Sequence, residues 1–117
     1  MTRRVVITGL GMVSPLGVGV NENWENACAG KSGIGNITKF DASDFASQVA
    51  GEVTGFNAED YLDRQMVRRF DVFIHYAMAA ARMAMEDSEL KIDAANASRV
   101  GSITGTGLGG LSMLENF

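Results

Sequence analysis

The glycine-rich segment near the end of the sequence is the first whose residue types and spacing could do chemistry. It contains Gly105-x-Gly107-x-x-Gly110 after a short β-like run, and this spacing matches the dinucleotide-binding fingerprint. In that motif, glycines let a phosphate approach the start of a helix, because no Cβ stands in the way. The acidic residue that binds the ribose stands roughly twenty positions further on, beyond Phe117. Dinucleotide binding is therefore an alternative and not the main prediction.

A basic cluster is the second candidate. Arg64 and Arg68 are one helical turn apart and would share a face, with Arg69 beside them. In a chain with a formal net charge of −4, such a patch could bind a negatively charged partner. The alternative is a solvated face on which the arginines pair with three aspartates, Asp60, Asp63 and Asp71.

The single cysteine and the single histidine are the remaining candidates. Cys28 lies in a helical pattern with Trp24 and Ala27 and has no histidine nearby in sequence, whereas activated thiols lie near helix N-termini or beside cationic partners, so we expect a buried structural cysteine. His75 has only Asp71 at helical spacing, and we expect a histidine satisfied within a helix bundle and not a base. One cysteine and one histidine leave no His/Cys metal cluster and no internal disulfide.

Composition limits the class of protein. The chain has 117 residues, 46% hydrophobic and 21% charged, which indicates at most one globular domain. The acidic excess argues against a general nucleic-acid binder, which needs a basic face. No stretch approaches the length of a membrane span, and the apolar start is broken by Thr8 and Gly9, unlike an export signal. A single cysteine suits a reducing compartment, so we expect a cytoplasmic protein.

Two buried strands and the helices between them would position these residues. The β-branched runs at residues 4–8 and 99–104 are typical of strands in a parallel sheet, so the chain predicts a right-handed βαβ crossover. A short peripheral strand is predicted at residues 48–53. Two strands cannot bury the sheet faces that these patterns require.

Three helices are predicted from capping residues and periodicity. The first begins at Asn21 and ends at Gly30, with a face formed by Trp24, Ala27 and Cys28. The second begins at Asn57 and covers residues 58–64. The third, residues 67–87, is apolar nearly all round, and such a helix belongs in the interior of a larger protein.

Taken together, these motifs resemble the β-ketoacyl-(acyl-carrier-protein) synthases, the condensing enzymes of bacterial fatty-acid synthesis. The resemblance begins with Arg3-Arg-Val-Val-Ile-Thr-Gly-Leu-Gly-Met-Val-Ser-Pro-Leu-Gly17 and covers the whole chain. It continues through Trp24, Gly30–Ile34, Phe40-Asp41, Gly55–Asn57, Arg69–Asp71 and Gly105–Leu111. It implies an α/β fold, with residues 1–117 forming the N-terminal part of the first half of a thiolase-like five-layer αβαβα fold, incomplete in this chain.

The resemblance also implies an activity and its partners. The family elongates fatty acids by decarboxylative condensation of malonyl-carrier protein with an acyl group held as an enzyme thioester, without metal or cofactor, and the enzyme is usually a homodimer. Leu108 matches a position that lines the acyl pocket. Arg68 and Arg69 match basic positions that meet the acyl carrier protein, with Arg64 beside them and Gln65 where a further basic residue is typical.

The family's nucleophilic cysteine and two histidines belong to later segments. Cys28 and His75 do not match them, so we expect no catalytic residue here and no activity from the 117 residues alone. Two other functions remain open. One is a non-catalytic chain-length factor of polyketide synthesis, which lacks the nucleophile; the other is a dinucleotide-binding dehydrogenase module.

Overall fold

The structure is a computed structural model that describes residues 2–111 and residue 113. The strands are β1 (Val13–Ser14), β2 (Gly17–Val18), β3 (Ile34–Asn36) and β4 (Val49–Gly51). The α-helices are α1 (Val20–Cys28), α2 (Arg64–Arg69) and α3 (Val72–Ser88). Short 3-10 helices cover Ala58–Asp60 and Ala97–Arg99. The strands form two antiparallel pairs, β1 with β2 and β3 with β4.

The two predicted long strands do not form, and this prediction was wrong for the described part of the chain. Residues 4–8 and 99–104 are not in strands, and Val5, Ile7 and Ile103 are largely or fully exposed. A buried strand needs hydrogen-bonded neighbours and a layer on each face. The described residues supply neither at these positions, so the predicted βαβ crossover is also absent from residues 2–111.

The segment before β1 packs directly on α3. A Cβ at Gly9 would overlap the carbonyl oxygen of Ala84, and a Cβ at Gly11 would overlap that of Ala80. The amide of Leu10 donates a hydrogen bond of 2.9 Å to the carboxylate of Asp87. The two glycines therefore allow backbone-to-backbone contact with the helix.

A buried asparagine connects the β1–β2 hairpin to α1. The Asn23 side-chain amide donates to the carbonyl oxygens of Gly17 (2.8 Å) and Gly19 (2.7 Å), and its oxygen accepts from the Ser14 hydroxyl. The helix begins at Val20 after Gly19, so the predicted cap at Asn21 was wrong. Gly30 has φ +67° just after the helix, which confirms the predicted C-terminal end.

The face predicted for α1 was also wrong. The side chains at the predicted buried positions are exposed: Trp24, Ala27 and Cys28. Asn23 occupies the buried position because its polar atoms all find partners in the hairpin.

The predicted strand at residues 48–53 is confirmed as β4. It pairs with β3, a segment for which the sequence predicted no strand. Pro15 packs on this pair, since Cβ atoms at Gly33 and Gly51 would each lie 2.8 Å from its ring.

The helical region from residue 57 to residue 88 is divided differently from the prediction. Asn57 caps as predicted, accepting from the Glu59 amide, but its helix is only the three-residue 3-10 turn. Asp63 then caps α2, and the extended residue Phe70 ends it. Asp71 caps α3. The predicted helix over residues 67–87 is therefore two helices separated at Phe70.

The described residues have little interior. Ala42 and Ala79 are the only apolar residues among them that are buried, and none of the larger side chains is fully enclosed. One side of α3 is covered at His75 and Ala79, whereas Ala77, Ala81 and Met85 on another side are exposed. An apolar helix that is half covered agrees with the expectation that α3 belongs inside a larger protein.

Candidate functional site

Helix α2 presents the basic cluster on one open surface. Arg64, Gln65, Arg68 and Arg69 line a depression of about 490 Å³, and all four are exposed. We call these four residues the arginine surface. Met66, Val67 and Phe70 are half-buried on the other side of the helix. The amphipathic pattern therefore places Arg64 and Arg68 on a common face, as the spacing predicted.

Two of the three aspartates near this surface, Asp63 and Asp71, act as helix caps. Asp63 accepts from the amide of Met66 at 2.9 Å, and Asp71 accepts from that of Val72 at 2.6 Å. Asp60 accepts from the side-chain amide of Asn57 at 2.8 Å. These bonds satisfy helix N-termini or hold the preceding turn. In these hydrogen bonds the three carboxylates accept from amide groups and not from the arginines, unlike the alternative of Asp–Arg pairs.

The three arginines differ in their surroundings. Arg64 pairs with Glu59 at 3.3 Å, with the two side chains 77% and 49% exposed, so the pair contributes little stability. The guanidinium of Arg69 lies 5.8 Å from the ring centre of Phe70. Arg68 has no ion-pair partner within residues 2–111. Its charge is therefore the most available for a partner.

The second part of the site is the glycine-rich segment with Leu108. Leu108 is 79% exposed, and Gly105 and Gly107 have open space where a Cβ would be. Gly109 and Gly110 differ, because both rest on the ring of Phe73 in the first turn of α3. The sequence did not identify Phe73 as part of a site. The sequence shows that Phe73 stands two residues after Asp71, but it does not show that the ring contacts Gly109 and Gly110.

The α2–α3 junction places the two parts of the site on one structural unit. The arginine surface ends at Arg69, the last residue of α2, and Phe73 follows four residues later. Phe73 contacts the segment that carries Leu108. The short connection between α2 and α3 therefore links the helix that carries the arginine surface to the helix that contacts the glycine-rich segment.

The cysteine and the histidine differ from the expectation. Cys28 is exposed, so the prediction of a buried thiol was wrong. His75 is only 7% exposed, as expected for a histidine inside the protein. Its Nε2 atom has no hydrogen-bond partner among the described residues, so it is not satisfied as predicted.

Neither a metal site nor a membrane span is found among the described residues. In the part of the chain that the structure describes, no group of His, Cys, Asp or Glu side chains could hold a metal ion. Nor does that part contain a helix with the length and apolarity needed to cross a bilayer.

Relatives of known name match almost the whole chain. A protein from Coxiella burnetii named 3-oxoacyl-[acyl-carrier-protein] synthase 2 is 52% identical over 113 residues, 97% of this chain and 27% of its own length. Proteins of the same name from Vibrio cholerae and Synechocystis are 46% and 45% identical, with the same coverage. The chain thus spans about a quarter of the length of these relatives.

A solved structure of a related kind superposes on this chain. The ishigamide ketosynthase/chain length factor superposes with a TM-score of 0.69 at 39% identity, covering 76% of this chain and 22% of that one. This confirms the predicted fold class, an incomplete thiolase-like α/β fold.

The family described as "Beta-ketoacyl synthase, N-terminal domain" matches residues 2–116. That range includes the glycine-rich segment, so the match favours the condensing-enzyme interpretation of its glycines over the dinucleotide one. The chain belongs to the β-ketoacyl synthase family and corresponds to its N-terminal domain.

Proposed function

We propose that this chain is the N-terminal part of a fatty-acid condensing enzyme, a 3-oxoacyl-(acyl-carrier-protein) synthase. The observation that carries the proposal is the exposed arginine surface, in a chain similar over 97% of its length to proteins named for acyl carrier protein. In the proposal, residues 1–117 form part of the first thiolase-like half. They supply scaffold, a carrier-protein surface and a wall of the acyl pocket.

The carrier-protein surface is assigned to Arg64, Arg68 and Arg69. An acidic carrier protein would be attracted to three guanidinium groups on an exposed helix, and charges of this kind mainly raise the association rate. Arg68 is the best placed, because Arg64 already faces Glu59. Gln65 lies within the same surface and contributes no charge, so we expect weaker docking than a fourth cation would give.

The pocket wall is assigned to Leu108. Its exposed side chain is apolar and would lower its contact with water by packing against an acyl chain. The acyl and malonyl thioesters are the proposed substrates, and the enzyme is proposed to act in the cytoplasm as a homodimer, without nucleic acid or membrane.

The proposed reaction takes place on residues outside this chain. An acyl group is held as a thioester on a cysteine, malonyl-carrier protein loses CO₂, and the resulting carbanion attacks the thioester carbonyl. A carbon–carbon bond forms, and the C–S bond breaks to release the thiolate. Cys28 and His75 take no part in these steps.

The test of the docking surface uses the complete enzyme, a protein of the relatives' length that carries this chain. Arg68→Glu should raise KM for malonyl-carrier protein roughly tenfold and leave kcat nearly unchanged, since the lost contact precedes the chemistry. KM for a small malonyl thioester without carrier protein should not change. Arg99→Glu is the matched control, because Arg99 is equally exposed but lies on another helix. Equal effects of both substitutions would show that the arginine surface is not the docking site.

A second candidate function is a non-catalytic chain-length-factor-like subunit. The solved neighbour at 39% identity is named "ketosynthase/chain length factor". Because its name includes a chain length factor, this candidate stays open. A purified complete protein that condenses acyl- and malonyl-carrier protein by itself would exclude it. A protein that is inactive alone and active only with a second, cysteine-bearing subunit would establish it.

A further inference from the structure

We infer that Phe73 is a positioning residue that holds the glycine-rich segment in place and thereby sets the range of acyl chain lengths the enzyme accepts. The inference rests on the proposed function, because it requires Leu108 to line the acyl pocket. It assigns to Phe73 no contact with the acyl chain itself. Its effect on selectivity is exerted through Gly109, Gly110 and the leucine before them.

The contact between Phe73 and the two glycines is close: it leaves no room for a Cβ at Gly109 and little room for one at Gly110. A Cβ at Gly109 would lie 2.6 Å from Cδ2, 2.7 Å from Cε2 and 2.8 Å from Cγ of the ring. A Cβ at Gly110 would lie 3.3 Å from Cε1, and Gly110 also has φ +83°. One ring thus supports two successive residues, and both are glycines for a steric reason.

The ring is carried by the start of a capped helix. Phe73 stands in the first turn of α3, immediately after the residue Val72, whose amide bonds the Asp71 cap. The helical backbone restricts the first side-chain torsion of phenylalanine, so it fixes the direction in which the ring leaves the helix.

The part of the segment before Leu108 lacks such support. A Cβ at Gly105 or Gly107 would meet no atom within 4 Å. The contact of Gly109 and Gly110 with Phe73 therefore supports the backbone immediately after Leu108. Loss of the ring would let the segment move towards α3 and carry Leu108 with it. The wall would retreat, and longer acyl chains would fit better.

The experiment compares Phe73→Leu with wild type in the complete enzyme across a series of acyl-carrier-protein chain lengths. We expect the ratio of kcat/KM for long over short chains to rise roughly tenfold, the scale on which apolar pockets discriminate. KM for malonyl-carrier protein should stay unchanged. Phe73→Met, which also removes the ring and has nearly the volume of leucine, should give a similar shift and provides a second variant if Phe73→Leu does not fold.

Tyr76→Leu is the matched control. It removes another ring from the same helix, one that packs edge-on against Phe56 at 4.9 Å between ring centres. We expect it to lower the melting temperature while leaving the chain-length ratio unchanged. If the Phe73 variants lower the melting temperature in the same way and leave the ratio unchanged, Phe73 is only structural and the inference is wrong.

A size exchange tests the contact directly. Gly109→Ala pushes a methyl group into the ring and should shift the ratio by itself, whereas Gly109→Ala combined with Phe73→Leu should return it towards the wild-type value. Purely additive effects would overturn the inference.

Leu108→Ala tests the proposed pocket wall separately from the role of Phe73. If it changes the chain-length ratio while the Phe73 variants do not, the pocket wall stands and only the role of Phe73 fails. If Leu108→Ala has no effect on the ratio, the proposed wall is wrong, and the inference fails with it.

Discussion

The carboxylate of Glu52 accepts hydrogen bonds from three donors beside the β3–β4 pair. The Thr38 hydroxyl donates at 2.6 Å, the Thr38 amide at 3.1 Å and the Lys39 amide at 3.3 Å. These bonds, that of the Thr38 hydroxyl above all, lower the pKa of Glu52 below its usual 4.5, because they favour the charged form. Glu52 thereby ties the chain after β3 to the end of β4.

A pH dependence follows from this direction. A carboxylate whose pKa is lowered in the folded protein contributes stability above its unfolded pKa, and this contribution is lost as the pH falls below about 4.5 and through the folded value. Glu52→Gln should therefore make the melting temperature of the complete enzyme less sensitive to pH in that acid range. Glu25→Gln, which removes an exposed carboxylate from α1, is the control. Parallel pH curves for wild type and Glu52→Gln would contradict the prediction.

Residue spacing predicted part of the site and missed another part. The shared face of Arg64 and Arg68 depends only on helical geometry, so it was predictable. Whether Cys28 is buried depends on which elements cover α1, and the sequence does not carry that information locally. The contact of Phe73 with Gly109 joins positions that are far apart along the chain, and no single-sequence pattern indicates it.

Among the elements, two of the three predicted helix caps were right, whereas the cap predicted at Asn21 was wrong. Asn57 caps and Gly30 ends a helix as predicted, because these features need only neighbouring residues. The break at Phe70 was missed, although Asp71 is a favourable N-cap, because the apolar periodicity continues across it. The strands at residues 4–8 and 99–104 were wrong because a strand requires partners outside its own segment.

The packing of the first segment on α3 gives a prediction at this scale. Gly11→Ala should destabilise the complete enzyme by about 1–3 kcal/mol, the usual cost of forcing extra atoms into a packed contact, because its methyl group would overlap the Ala80 carbonyl. Gly35→Ala in β3, where a Cβ meets nothing within 4 Å, should change stability by less than about 0.5 kcal/mol. The free energy of unfolding in denaturant measures both. Similar values for the two variants would show that the segment does not rest on α3.

At the scale of the whole molecule, the chain exposes more surface than a compact protein of its size. Its accessible surface is 9687 Å², whereas about 6,200 Å² is usual for its mass of 12.5 kDa. Its radius of gyration is 17.4 Å, against about 13 Å for a compact domain of this length. The all-round apolarity of α3 indicated in the sequence that these residues need further covering layers.

We therefore expect residues 1–117, expressed alone, to unfold without a cooperative transition and to bind a hydrophobic dye. The reason is that burial of apolar surface, the main favourable term in folding, is small here. Thermal melting followed by circular dichroism, with size-exclusion chromatography, measures this. A monodisperse 117-residue chain with a sharp transition would contradict the prediction.

The exposed run Val5–Ile7 has a consequence during synthesis. The matched 113 residues are 27% of the relative's length. In a protein of that length, about 300 further residues would leave the ribosome later, which takes roughly 15–60 s at about 5–20 residues per second. Throughout that time this β-branched run would lack the layers that finally cover it. Such a segment binds readily to other nascent chains. The first residues are therefore exposed to association with other chains until those layers form.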